Sequence, residues 1–296
     1  MAKSIQDLIK ARREKGISKK VVSKKWLYPT GIEREYHRVL NRLVNEIKER
    51  IKVYLLPEIP GMVKEVEVKT PNDRADGYLD RLQEILLFIS RSLNDDVEQT
   101  QVAADVVGVQ INRFNAQQFD KLKDQAFVVN PFVQEPWLAD QLKLFSVQNA
   151  QLIKSLPDQE LERVAGVVER GLQEGATYST VAKNIQKSFG ITRRRATLIA
   201  RDQTKKLNSS LTKLRQQEVG VEFYTWQTSD DERVRASHRV LDGKLCRWDD
   251  PTVFQDPKTK KWVKKSSIGG DPVHVGVAVN CRCNAIADLS SILDLD

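Results

Sequence analysis

Cysteine and histidine are scarce in this chain, three of each in 296 residues, and the cysteines (Cys246, Cys281 and Cys283) all fall in its last fifth. An odd number of thiols gathered at one end excludes a disulfide framework and suits the reduced thiols of an intracellular product. Long apolar runs are also missing. The richest stretches, Ile85 to Ile89 and Val102 to Val109, fall well short of the roughly 18 apolar residues a membrane-spanning helix needs. The opening MAKSIQDLIKARREKG carries charges where a secretory leader has its apolar core, so export is not expected. Aromatic residues are only 7% and hydrophobic residues 40%, while charged residues reach 30%. Against usual values of roughly 45–50% apolar and about 25% charged, this favours helix-rich, heavily solvated surface over an apolar enzyme barrel.

What the chain has in excess is positive charge, 48 Lys and Arg against 40 Asp and Glu, for a net +8. That makes an anionic partner plausible without choosing among nucleic acid, membrane and acidic protein. The excess is concentrated near the start: nine Lys/Arg minus three Asp/Glu gives +6 over residues 1–33. A basic arm over 1–32, including Lys19, Lys20, Lys24 and Lys25, is either a solvated tail or a segment that orders on DNA or an acidic partner. Ile5, Leu8 and Ile9 sit at i, i+3 and i+4, as an amphipathic turn would.

Helical periodicity takes over from Glu33, with Leu40, Leu43, Val44, Ile47, Ile51 and Leu55 on one stripe until Pro57 and Pro60 break it. Further helices are expected over about 77–92, from about Val97 to near Gln118, over 139–154, and over 158–174, the last beginning after Pro157 with Glu160 in its first turn. His37, on a charged helix face, reads as ordinary surface. After Gly175 a short helix closed by Gly190 and a second one capped by Thr192 would make a helix hairpin. The spacing then switches to period two in VEFYTWQTS, a strand with Tyr224 and Trp226 on one side and Phe223 and Thr225 on the other. Asp242-Gly243 and Gly269-Gly270-Asp271 mark turns, and Cys281 to Leu289 reads as a closing strand. The expected fold class is α+β: an elongated all-helical region over 33–175, then a small α+β domain over 176–296 built from the helix hairpin, short antiparallel strands and long turns.

Chemistry-bearing residues cluster in that last part. Arg201, Thr204 and Asn208 share one helix face, placed to hydrogen-bond into the following β-segment or to stand in solvent. Arg193, Arg194, Arg195, Lys205 and Lys206 form a basic cluster on the same helix, a solvated face or a contact for phosphate or another partner. Asp231, Arg233, Arg235 and His238 precede the Asp242-Gly243 turn, where carboxylate–guanidinium forks can staple a loop without chemistry. His238, His274, Cys281 and Cys283 make a candidate Cys2His2 zinc set, because alternate residues of a strand face one side and zinc takes four such ligands in a tetrahedron. Cys246 is an alternative ligand, and buried cysteine is also a common apolar filler.

In order, R-D-Q-T-x3-N from Arg201 to Asn208, a strand with Trp226, D-x-R-V-R-x2-H-R-x-L-D-G from Asp231 to Gly243, and P-x-H followed by N-C-R-C from Asn280 to Cys283 resemble the C-terminal domain of the phage Mu F-like minor capsid, or head morphogenesis, proteins. The resemblance covers roughly residues 176–290. Family members commonly place the proline–histidine element almost against N-C-R-C, whereas Val275 to Val279 intervene here, which favours His238 over His274. The resemblance implies a non-enzymatic, low-copy virion component, made in the host cytoplasm and resident in the capsid interior or at the portal vertex. It would associate with the portal protein, and with major capsid or scaffolding protein, and assist head assembly, packaging or delivery of double-stranded DNA. By position it carries over Arg201, Thr204, Asn208, Trp226, Asp231, Arg233, Arg235, His238, Gly243, His274, Asn280, Cys281, Arg282 and Cys283; of these, Arg201, Thr204, Asn208, Asp231, Arg233, Arg235, Asn280 and Arg282 read as a structural polar network, and the Cys2His2 set as the holder of a structural Zn2+ ion. Two alternatives stand beside it: a metal-dependent nuclease using His238, and a general nucleic-acid-binding protein using the arm and the 193–206 cluster.

Overall fold

A computed structural model describes Glu14 and residues 26–68, 76–126 and 133–289. Four of the candidate contact residues, Lys19, Lys20, Lys24 and Lys25, lie outside them, as does the Ile5, Leu8 and Ile9 turn. The helices come first: α1 (Thr30–Arg50) running into a π-helical turn (Ile51–Leu55), α2 (Ile59–Val68), α3 (Asp76–Ser92), α4 (Asn94–Ala126), α5 (Leu138–Gln173) and α6 (Tyr178–Glu218). Five strands and a short helix follow: β1 (Phe223–Gln227), α7 (Ala236–Arg239), β2 (Leu245–Arg247), β3 (Val253–Gln255), β4 (Trp262–Lys264) and β5 (Asn284–Asp288). The architecture is thus α+β, a mostly helical region followed by an antiparallel sheet.

Two expected helix breaks do not occur. Pro157 lies inside α5, buried, rather than at a helix start. Its missing N–H costs about 3 kcal/mol in an exposed helix, but Leu156, Glu160 and Leu161 are buried around it, and that packing outweighs the lost bond. The hairpin expected around Gly190 is likewise a single helix, α6. Phe189 and Ala196 are both buried, so tertiary packing holds the helix through the glycine. Thr192 caps nothing; its hydroxyl donates to the buried Glu160 carboxylate, which also accepts from Ser188 and Arg163.

The chain divides into two compact units, each assembled from separated stretches. One comprises 33–107 and 145–201 and is entirely helical. The α1 stripe is its core, with Tyr36, Leu40, Leu43, Val44, Ile47, Ile51 and Leu55 all buried. Within it the Tyr36 hydroxyl bonds the buried Asn149 amide oxygen, and Arg201 pairs with Glu33 at 3.5 Å.

The other unit comprises 108–144, 202–296 and the described part of 1–32. Its sheet has the order β4-β3-β2-β1-β5, every pairing antiparallel, with Tyr224 opposite both Cys246 and Ala287. The alternation along β1 puts Tyr224 and Trp226 in the core, where Trp248, Phe254, Cys246, Leu241 and Val275 surround them. Each large apolar side chain so enclosed contributes roughly 1.5–3 kcal/mol. The 202–218 part of α6 buries polar groups, and several of them find specific partners. Arg215, 1% exposed, grips the Glu135 carboxylate through Nε at 2.6 Å and Nη2 at 2.8 Å, and donates to Asn112 Oδ1 at 2.6 Å and Asn115 Oδ1 at 2.8 Å. Gln216 spans to the sheet, donating to the Ala285 carbonyl at 3.3 Å and accepting from the Trp248 indole at 3.1 Å.

Removing one partner of a buried ion pair strands the other charge. Glu135→Ala should cost roughly 3 kcal/mol in urea denaturation, the low end of the usual 3–5 because Glu135 keeps some solvent contact. A loss under about 1 kcal/mol would show that Arg215 does not depend on it. Gly276 adopts φ +81°, and a Cβ there would stand 2.0 Å from Ser209 Oγ and 2.7 Å from Lys205 Cε. Gly276→Ala should therefore destabilise by more than Gly175→Ala, where φ is +66° but nothing stands within 4 Å and only the left-handed backbone cost of about 1–2 kcal/mol applies. Equal losses for the two substitutions would refute the close approach.

Candidate metal centre

The site lies within the sheet-bearing unit, where the segment after Gly276 returns to the helix–sheet junction. Asn280 turns the chain in the left-handed region at φ +58°, and its backbone N–H reaches Asp202 Oδ1 at 3.4 Å. Arg282 pairs with Asp231 at 3.3 Å, and Arg235 donates to the Val279 carbonyl at 2.8 Å. Asp231 also accepts the Arg233 backbone N–H at 3.0 Å, closing the turn before α7. These straps bring His238, on α7, against the N-C-R-C segment.

His238 Nδ1 lies 3.5 Å from Cys281 Sγ and 3.5 Å from Cys283 Sγ, and the three ligand atoms are all within 4.8 Å of one another. All three residues are buried. This group could hold a metal ion. On the far side of the ring, His238 Nε2 is 2.9 Å from Asp271 Oδ2, so the carboxylate holds the N–H there and leaves Nδ1 facing the sulfurs. The Cys283 thiol and the His238 ring, bonded to Cys281, hold its thiol down to about 4, whereas Cys283, beside that negative charge, is pushed upward. The same Cys281 contact raises the imidazole of His238.

Lys205 points into this region. It is 1% exposed, its Nζ donates to Asn284 Oδ1 at 2.7 Å, and burial lowers it to about 8 while the Cys281 and Cys283 charges oppose that fall. The Trp226 indole N–H is fully buried and makes no hydrogen bond, while its ring packs 5.3 Å from that of His238.

Other expected site residues go elsewhere. His274 is not in the ligand group. Its ring packs 5.4 Å from that of Trp248, with Nδ1 3.4 Å from the Tyr224 hydroxyl. Val275 to Val279 carry the chain away from it before the cysteines, which is why the two histidines part. Cys246 is a buried core residue of β2. Arg201 engages Glu33, while Asn208 belongs to a separate cluster with Asn115 at 3.0 Å and with Thr212, whose hydroxyl donates to the Asn208 carbonyl at 2.7 Å. Thr204 is buried with its hydroxyl unbonded. The basic cluster is not one surface: Lys205 is interior, Lys206 pairs with Asp202 at 2.6 Å, Arg193 bonds Asn45, Arg195 bonds Ser155, and Arg194 is exposed. Asp271, Lys205 as an interior group, Arg215 and Gln216 escaped the sequence reading. Asp271 was visible only as part of a Gly-Gly-Asp turn.

Burial lowers His274 to about 4, and Lys213 and Lys265 push the same way against Asp249 and Asp250. Its unfolded value is about 6.5, so the unfolded chain takes the proton first. Stability should therefore fall as pH drops from about 6.5 towards 4, and His274→Gln should flatten that slope in urea midpoints measured across the range. Identical slopes for the two proteins would refute it.

Residues 162–286 match the family described as Phage Mu protein F like protein. An uncharacterized protein of Haemophilus influenzae is 34% identical over 156 residues, 53% of this chain and 31% of that protein, so the chain spans about a third of that relative's length. The minor head protein GP7 of Bacillus phage SPP1 is 23% identical over 286 residues, 86% of each chain. No solved structure gives a significant match. Among the described residues, no helix is long and apolar enough to cross a membrane. The similarity to the phage Mu F-like protein family thus covers residues 162–286, and the chain is a distant homologue of the SPP1 minor head protein GP7.

Proposed function

We propose that this protein is a phage minor head protein that works by binding and positioning, held at the portal vertex or capsid interior during head assembly and DNA packaging. The carrying observation is the collinear match to a minor head protein over 86% of both chains. The portal is the partner on this reading, with major capsid or scaffolding protein as a further contact. The net charge of +8 suits residence next to packaged double-stranded DNA.

On the same reading the protein is not an enzyme, and His238, Cys281 and Cys283 hold a structural Zn2+ ion. A tetrahedral zinc with Zn–N about 2.0 Å and Zn–S about 2.3 Å separates its N and S ligands by about 3.5 Å. Both N–S separations here are 3.5 Å. A nuclease would need its histidine to meet a phosphodiester, and the His238 side chain is 3% exposed. The ion would instead tie α7 to the segment leading into β5, fixing the loop between them.

The test is capture of portal protein from a phage-infected lysate by this full chain, together with mass spectrometry of purified virions. Enrichment of portal protein and a few copies of this chain per virion are expected. Absence from complete virions, with no portal capture, would overturn the reading. Plasmid cleavage lost in His238→Ala would replace it with the nuclease.

A further inference from the structure

We propose that Asp271 and Lys205 are the outer-shell pair of this metal site, Asp271 positioning the His238 ring and Lys205 compensating the charge of the two thiolates. This rests on the zinc reading above. Asp271 meets Nε2, the nitrogen that faces away from both sulfurs, at 2.9 Å, so the ring can present Nδ1 only toward the metal position. A carboxylate behind a ligating imidazole fixes its tautomer and its rotation, and makes it a better donor.

Lys205 supplies the opposite charge from the helix side. Its ammonium is buried, and among the described residues no carboxylate pairs with it; Asn284 Oδ1 and the Tyr28 ring, 5.8 Å from Nζ, are its neutral neighbours. A lone buried cation is strongly unfavourable unless anionic groups stand close; Asn284, which holds Nζ, directly follows Cys283, and Gly276 packs against Cε, so the ammonium lies against the segment that carries both thiolates. A dication with two thiolates and a neutral imidazole carries no net charge, and the partly exposed Asp271 and the buried Lys205 add one charge of each sign around it. The Cys283 backbone N–H, 3.3 Å from Cys281 Sγ, is a donor suited to metal-bound sulfur.

The experiment uses the full chain, stripped with a chelator under reducing conditions and titrated with Co2+ and then with Zn2+ in competition. The wild type should show thiolate-to-cobalt charge-transfer absorption that Zn2+ removes. Cys246→Ala should keep that band. Asp271→Asn and Lys205→Met should each weaken Zn2+ binding roughly 10–100-fold. The metal-free stability of Asp271→Asn should stay near that of the wild type, since the replacement keeps an oxygen acceptor for Nε2. No charge-transfer band in the wild type would overturn the zinc reading and the pair with it. A wild-type band with unchanged Zn2+ affinity in the variants would overturn the outer-shell assignment alone. Should Lys205→Met fail to fold, the affinity of Asp271→Asn decides, because Asp271 is partly exposed and its replacement nearly isosteric.

Discussion

The helix–sheet unit depends on one constraint: the last four turns of α6 bury polar and charged side chains that solvent cannot satisfy. Lys205, Asn208, Thr212, Arg215 and Gln216 are all within 3% of complete burial. An unsatisfied buried polar group costs about 1–3 kcal/mol, and a charge costs more. Each therefore dictates where something else must be. Arg215 fixes Asn112, Asn115 and Glu135; Gln216 fixes the β5 backbone and Trp248; Lys205 fixes Asn284 and the sulfurs beside it. An apolar helix could slide against the sheet, but this one has a single register.

That register sets the metal-ligand geometry. Because Lys205 anchors Asn284 at the first residue of β5, Cys281 and Cys283 immediately before it are delivered to a set position. Gly276 allows the preceding loop to pass closely over Ser209, and the Asp231–Arg282 and Arg235–Val279 straps bring α7 to meet it. The burial of the ligand group follows from the same straps, and that burial is what suits the group to structural tasks better than to chemistry on a large external substrate.

The parts of this arrangement governed by local spacing were legible in the sequence. The α1 stripe and the two-residue alternation that buries Tyr224 and Trp226 follow from helix and strand geometry, whereas the closing strand starts at Asn284 and leaves Cys281 and Cys283 in the irregular segment before it. What periodicity could not disclose were decisions made by distant partners. Pro157 and Gly190 are helix breakers on local grounds and were overruled by packing. Lys205 looked like a member of a basic surface because nothing nearby in sequence announces Asn284 as its partner. His274 resembled a ligand by residue type, yet Tyr224 and Trp248 give it an aromatic niche instead. The α+β class was readable; which polar residues turn inward was not.

The strand order carries a consequence for synthesis on the ribosome. β1 stands between β2, which follows it closely, and β5, whose residues 284–288 are translated well after the β2–β4 meander. Until they emerge, one edge of β1 has exposed hydrogen-bonding groups, and Lys205 and Gln216 lack their acceptors. Open strand edges are templates for wrong pairings between nascent chains. The helical stretches, dominated by short-range contacts, can form early, whereas closure of the sheet waits for long-range pairing. A truncation before residue 284 would therefore remove more than a tail: it would leave one edge of β1 open and adhesive.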